Sequence, residues 1–63
     1  MYNDVMPGDS VHIRLEWGKG KLITATVLSK EQLGHKGKDV VGYIDDNGQE
    51  RWAYFNQIVR VLT

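Results

Sequence analysis

Apolar residues in this chain come in short runs of period two, each cut off by a glycine-bearing turn, and that rhythm confines the chain to β-structure. Val11, Ile13 and Leu15 alternate with His12, Arg14 and Glu16, the pattern of a strand with one face buried. Pro7-Gly8-Asp9 is the turn before it, and Gly18-Lys19-Gly20 breaks it. A second run covers residues 21–30, with Ile23, Ala25 and Val27 on one face and Thr24 and Thr26 on the other; its β-branched content favours strand over helix. Residues 31–38 are polar and hold Gly34 and Gly37, so a loop is expected there, the longest and most mobile connection of the chain. A third strand is expected over residues 39–45. Asp46-Asn47-Gly48 forms a hairpin turn, since Asn-Gly accepts positive φ. A fourth strand follows over 49–54, then a short 3₁₀ turn at Phe55-Asn56-Gln57 and a fifth strand over 58–62. Residues 1–6 read as an N-terminal arm and 7–63 as one all-β domain.

A chain of 63 residues has room for one domain, and one that buries only about 60% of the surface its unfolded form exposes. Domains of this size often need a staple. Without cysteine a disulfide is excluded, and His12 and His35 alone suggest no metal site. Self-association is the staple left. No apolar run approaches the roughly 18 residues of a membrane span, and the first residues lack the basic start and apolar stretch of a signal peptide. A soluble cytoplasmic protein with no membrane partner is expected. Eight basic and eight acidic residues cancel, but unevenly. Residues 17–38 hold Lys19, Lys21, Lys30, Lys36 and Lys38 against Glu31, while residues 39–50 hold Asp39, Asp45, Asp46 and Glu50 and no base. Such a dipolar surface can orient a partner or a second copy.

The order of these signals resembles a known fold. Pro-Gly-Asp-x-Val-x-Ile at residues 7–13 is similar to the first strand of many SH3-like barrels. Trp17-Gly18-Lys19-Gly20 followed by Ala25-Thr26-Val27-Leu28 resembles the Tudor and chromo-barrel branch, as do Tyr43-Ile44-Asp45-Asp46-Asn47-Gly48, Trp52-Ala53 and Ile58. The resemblance covers residues 7–62 and implies a small five-stranded SH3-like barrel, with a short 3₁₀ turn before the last strand. Its register would turn Val11, Ile13, Leu15, Ile23, Ala25, Val27, Ile44, Ala53, Phe55 and Ile58 inward, with Val40, Val61 and Leu62 as weaker core positions. Trp52, Tyr54 and Tyr43 would then point outward, with Trp17 at the mouth of the first loop.

The resemblance implies a binding module and no self-contained enzyme. Tudor and chromo-barrel domains hold methylated lysine or arginine in a cage of aromatic rings, by cation–π attraction in a desolvated pocket. Trp17, Tyr43, Trp52 and Tyr54 are the rings in the corresponding places, with Asp45 or Asp46 as the acidic rim. The cage's usual second-strand aromatic is replaced by Leu22 and Ile23. The same rings form a protein-interaction or self-association surface, with Asp45, Asp46 and Arg51 at its rim. An alternative is nucleic-acid binding, with Lys19, Lys21, Lys36 and Lys38 on phosphates and Trp17 or Tyr43 stacking on bases. A third reading is an oligomeric enzyme with a site between subunits, as in plasmid-type dihydrofolate reductase. The pore segment Val-Gln-Ile-Tyr of that enzyme falls near Arg51-Trp52-Ala53-Tyr54, where only the tyrosine matches. The sequence carries no cysteine nucleophile, phosphate-binding glycine loop or nucleotide fingerprint, and it implies no cofactor.

Overall fold

A single three-residue turn joins the two edges of the sheet, and this decides the shape of the molecule. The computed structural model describes residues 2–62; Met1 and Thr63, the outer ends of the expected arm and domain, lie outside the described residues. A 3₁₀ turn, Tyr2–Asp4, precedes β1 (Ser10–Arg14), one helical turn (Leu15–Gly18), β2 (Leu22–His35), β3 (Lys38–Ile44), β4 (Glu50–Tyr54), a second 3₁₀ turn (Phe55–Gln57) and β5 (Ile58–Val61). The strands form one antiparallel sheet in the order β4-β3-β2-β1-β5. In a flat sheet β4 and β5 would lie about 19 Å apart, four spacings of about 4.8 Å. The 3₁₀ turn between them advances only about 2 Å per residue, or roughly 8 Å from Tyr54 to Ile58. The sheet must therefore roll until its edges approach. The seam is tied by Gln57, which is buried. Its Nε2 donates to the Arg14 carbonyl at 3.0 Å and its Oε1 accepts the Tyr54 N–H at 2.9 Å.

Rolling turns one face of every strand onto a common core. Val11 and Ile13 of β1, Ala25 and Val27 of β2, Val41 and Tyr43 of β3, Ala53 of β4, Phe55 and Ile58 form one cluster with Val5. Val5 belongs to the stretch expected to be an arm, yet it is fully buried. The turn that follows pins it there. Asp9 N–H donates to the Met6 carbonyl at 3.0 Å, the Asp9 carboxylate accepts Met6 N–H at 2.9 Å, and Gly8 N–H donates to the Val27 carbonyl at 2.8 Å.

Three expectations need correction. First, residues 31–38 are not a loop. β2 continues to His35 and pairs with β3 through His35↔Lys38. Lys36 (φ 50°) and Gly37 (φ 72°) make the two-residue turn of left-handed pairs that matches strand twist. The polar composition hid the strand because this hairpin is bulged between Glu31 and His35, with Leu33 N–H held by the Asp39 carboxylate at 2.9 Å. Second, the inward face of β3 is the opposite of the expected one. Tyr43 is 2% exposed and Val41 fully buried, whereas Ile44 is half-buried. Both faces of this strand are apolar, so alternation cannot choose between them; pairing of Val41 with inward Ala53 does. Third, Val61 and Leu62 are exposed, and Leu15 leaves the strand after Arg14 to pack half-buried against the core with Ile23. The outward Trp52, the half-buried Tyr54 and the inward Ala53 and Phe55 match the expected pattern.

Because Gln57 satisfies groups on both sides of the seam, Gln57→Ala leaves them unpaired and should cost about 1–3 kcal/mol. Urea unfolding measures it; an unchanged midpoint would show that the seam is held by other contacts.

Candidate functional site

The alternation that buries Ala53 sends Trp52 and Tyr54 out of the other face of β4, where their rings meet edge to face at 5.3 Å and 89°. Trp17 reaches both, at 6.0 Å from Trp52 and 5.7 Å from Tyr54. Its delivery is unusual. In the turn Leu15–Gly18, Glu16 (φ 52°, ψ 53°), Trp17 (φ 60°, ψ 29°) and Gly18 (φ 92°) are all left-handed. The left-handed region costs an L-residue roughly 1–2 kcal/mol. The turn is held by its surroundings: Leu15 N–H donates to the Lys21 carbonyl and Gly20 N–H to the Leu15 carbonyl, each at 2.8 Å. His35, at the end of β2, completes the cluster at 4.7 Å from Trp52 and 5.8 Å from Tyr54. Lys38, paired with His35, sets its Nζ 5.5 Å from the centre of the Tyr54 ring. The rings remain open to solvent, with Trp17 67% and Trp52 46% exposed.

Beside the rings lies an open groove of about 930 Å³ between the left-handed turn and the β3–β4 hairpin. Leu15, Ile23 and Tyr43 contribute to its apolar lining, and Trp17 and Trp52 line it too. Its charged rim comprises Glu16, Asp45, Asp46 and Glu50 with Lys21 and Arg51. Burial pushes the Tyr43 phenol above its ordinary value, an effect reduced by Arg51 and reinforced by Asp45. The hairpin turn is built by Asp45. Gly48 N–H donates to its carbonyl at 3.0 Å, and its Oδ1 accepts Asn47 N–H at 2.9 Å and Gln49 N–H at 3.0 Å. Only Gly48, φ 79°, is left-handed among these residues, so the loop is a three-residue turn ending in a glycine bulge and not the two-residue Asn-Gly form. Asp45 also pairs with Arg51 Nε at 3.2 Å. The Gln49 N–H, above all, holds its carboxyl below the usual range against desolvation; Asn47 N–H and Arg51 add to this.

Of the four rings expected to converge, Trp17, Trp52 and Tyr54 do. Tyr43 does not; it is a core residue that borders the groove. Asp45, Asp46 and Arg51 stand at the groove rim. The lysines divide: Lys21 lines the groove and Lys19 follows the left-handed turn, while Lys36 and Lys38 flank the other end of the ring cluster. His35 was missed. Its signal was the Lys36-Gly37 pair: read as a two-residue turn, it would have placed His35 opposite Lys38, two residues from the Val40 that pairs with Tyr54. Among the described residues no group of three or more His, Cys, Asp or Glu is placed to hold a metal ion, and no helix is long and apolar enough to cross a membrane. Compared with protein-family models, curated proteins and solved structures, the chain finds no match.

Two expectations follow from this geometry. Glu16→Gly relieves a left-handed side-chain-bearing residue, so stability should rise by about 1 kcal/mol; a loss in urea unfolding would show that Glu16 packing against the turn outweighs the backbone strain. Asp45 has a folded pKa below its ordinary value of 3.8. Its contribution to stability is therefore present above that value and is lost as pH falls through the lower folded one. The wild type should lose stability more steeply than Asp45→Asn on acidification below about pH 4. Parallel unfolding curves of the two proteins across that range would contradict the assignment.

Proposed function

We propose that this chain is a small, non-enzymatic docking module of the SH3-like barrel type, which binds another protein chain through the surface formed by Trp17, Trp52, Tyr54 and His35. The strand order and the 3₁₀ turn before β5 support the fold type. The observation that carries the function is that the molecule's two tryptophans meet each other and a tyrosine at the surface, about two thirds of Trp17 and just under half of Trp52 open to water. Aromatic residues of this kind bury 150–250 Å² each when covered, and tryptophan and tyrosine are the typical anchors of interface centres. The strained turn supports the same reading. Backbone strain of this kind concentrates at binding sites, and here it holds Trp17 over β4. Binding energy comes from covering the rings, and the charged rim sets orientation. Asp45 is spent on the hairpin turn and on Arg51, which argues against an acid–base role beside Asp46.

A second reading is supported by Lys38 lying over Tyr54, an arrangement that suits a stacked base with a neighbouring phosphate. It predicts a gel shift with single-stranded nucleic acid at low salt, weakening as salt rises.

Because both tryptophans sit in the cluster, their emission reports on this surface alone. Peptides selected from a random library against the folded domain should shift that emission to the blue. Trp52→Ala and Trp17→Ala should stay folded and lose about thirtyfold or more in affinity, the scale of a hot-spot residue. Selected peptides that bind both variants as well as the wild type would overturn the reading.

A further inference from the structure

We infer that the partner of the ring surface is a second copy of this chain, docked about a two-fold axis that passes close to Trp52; this rests on the docking reading above. The argument starts from the order of side chains along the outward face of β4. Glu50, Trp52 and Tyr54 occupy alternate positions, so they span about 13 Å at roughly 3.3 Å per residue. The Glu50 end is acidic: Glu50, Asp46 and Glu16 border the groove beside Trp17 and Trp52. Asp45 adds little there because Arg51 and the turn amides engage it, and Lys21 is the remaining cation of the groove. The Tyr54 end is basic. Lys38 lies over the Tyr54 ring, His35 against Trp52, and Lys36 forms the tip of the same hairpin. Two acids lie on that hairpin: Asp39 is held by Leu33 N–H, and the carboxylate of Glu31, which pairs with Val40, lies against Gly34.

The surface is therefore a stripe with carboxylates at one end, rings in the middle and ammonium groups at the other. A polyanion or a polycation laid along it gains at one end and is repelled at the other. Rotation by a half turn about the middle exchanges the ends, so a second copy meets acid with base at both rims and ring with ring at the centre. This is the self-complementarity that an isologous dimer requires. Nothing at long range opposes the encounter, because the eight basic and eight acidic residues leave each copy without net charge. The pairing also answers a need of the small domain, since the dimer buries surface that one copy of this length cannot.

The test is a charge swap read by analytical ultracentrifugation at about 0.1 M salt, where the Debye length of about 10 Å leaves rim attraction in place. The variants are Lys36→Glu/Lys38→Glu and Asp46→Lys/Glu50→Lys, all at exposed positions. The wild type should sediment as a dimer, with tryptophan emission shifting to the blue as concentration rises. Each double variant alone should dimerise at least tenfold more weakly. An equimolar mixture of the two should recover a two-chain species within about tenfold of wild-type affinity. A wild type that stays monomeric to roughly millimolar concentration overturns the inference, as do variants that dimerise like the wild type or a mixture that fails to recover. If the wild type is monomeric while selected peptides still depend on Trp52, the docking reading survives and only the second copy is removed. Loss of both removes the two together.

Discussion

The constraint on which everything else depends is the short passage from β4 to β5. A turn of three residues, Phe55–Gln57, carries the chain between strands that would be the far edges of an open sheet. No packing preference of individual strands demands a rolled sheet as firmly as this connection does. Gln57 then converts proximity into closure, with one end on the Tyr54 amide and the other on the Arg14 carbonyl. Because Arg14 ends β1 and the left-handed turn begins at the next residue, the same seam brings Trp17 against the outward face of β4. Core and ring surface are two results of one closure. Phe55 enters the interior one residue after Tyr54 joins the surface cluster.

Much of this was legible in the sequence. Period-two alternation located β1 and the first half of β2, the glycine-bearing turns located their limits, and the parity of Trp52, Ala53, Tyr54 and Phe55 was read with the correct sense. What was not legible has physical causes. β3 is apolar on both faces, so its inward side is set by register against Ala53 and not by its own composition. The second half of β2 is polar because it lies in a bulged hairpin with both faces largely in water, and alternation carries no signal there. The left-handed conformation of Glu16 and Trp17 runs against the preference of both residues. Local sequence could only have argued for something else. His35 depends on the second of these, since it reaches the rings only when the hairpin continues and the turn at Lys36-Gly37 is tight.

The candidate site joins a rigid part to a strained part. Trp52 and Tyr54 are fixed by the pleat of a paired strand, whereas Trp17 stands on a turn whose backbone costs energy at two successive residues. The ladder around it, from Leu15 to Lys21 and from Gly20 to Leu15, overrides that cost. An aromatic surface assembled in this way is organised before any partner arrives. A partner then loses less entropy in ordering it. Charged residues flank the rings on both sides, Asp46 and Glu50 towards the β3–β4 hairpin and Lys36 and Lys38 on the β2–β3 hairpin, so orientation and adhesion come from different residues.

The pairing of β5 with β1 has a further consequence, for folding kinetics. β1–β2, β2–β3 and β3–β4 are neighbours in the chain and can zip locally, but β1 also needs β5, the strand that is made after all the others. Pairings between remote segments are the slow ones in small proteins, because loop entropy is lost before any contact compensates it. During synthesis, then, β1 waits with one edge bare, and a bare edge is a template for any passing strand. The nascent chain is at its most sticky just before Ile58–Val61 emerges, and aggregation in the cell would begin in that interval and not from the finished fold.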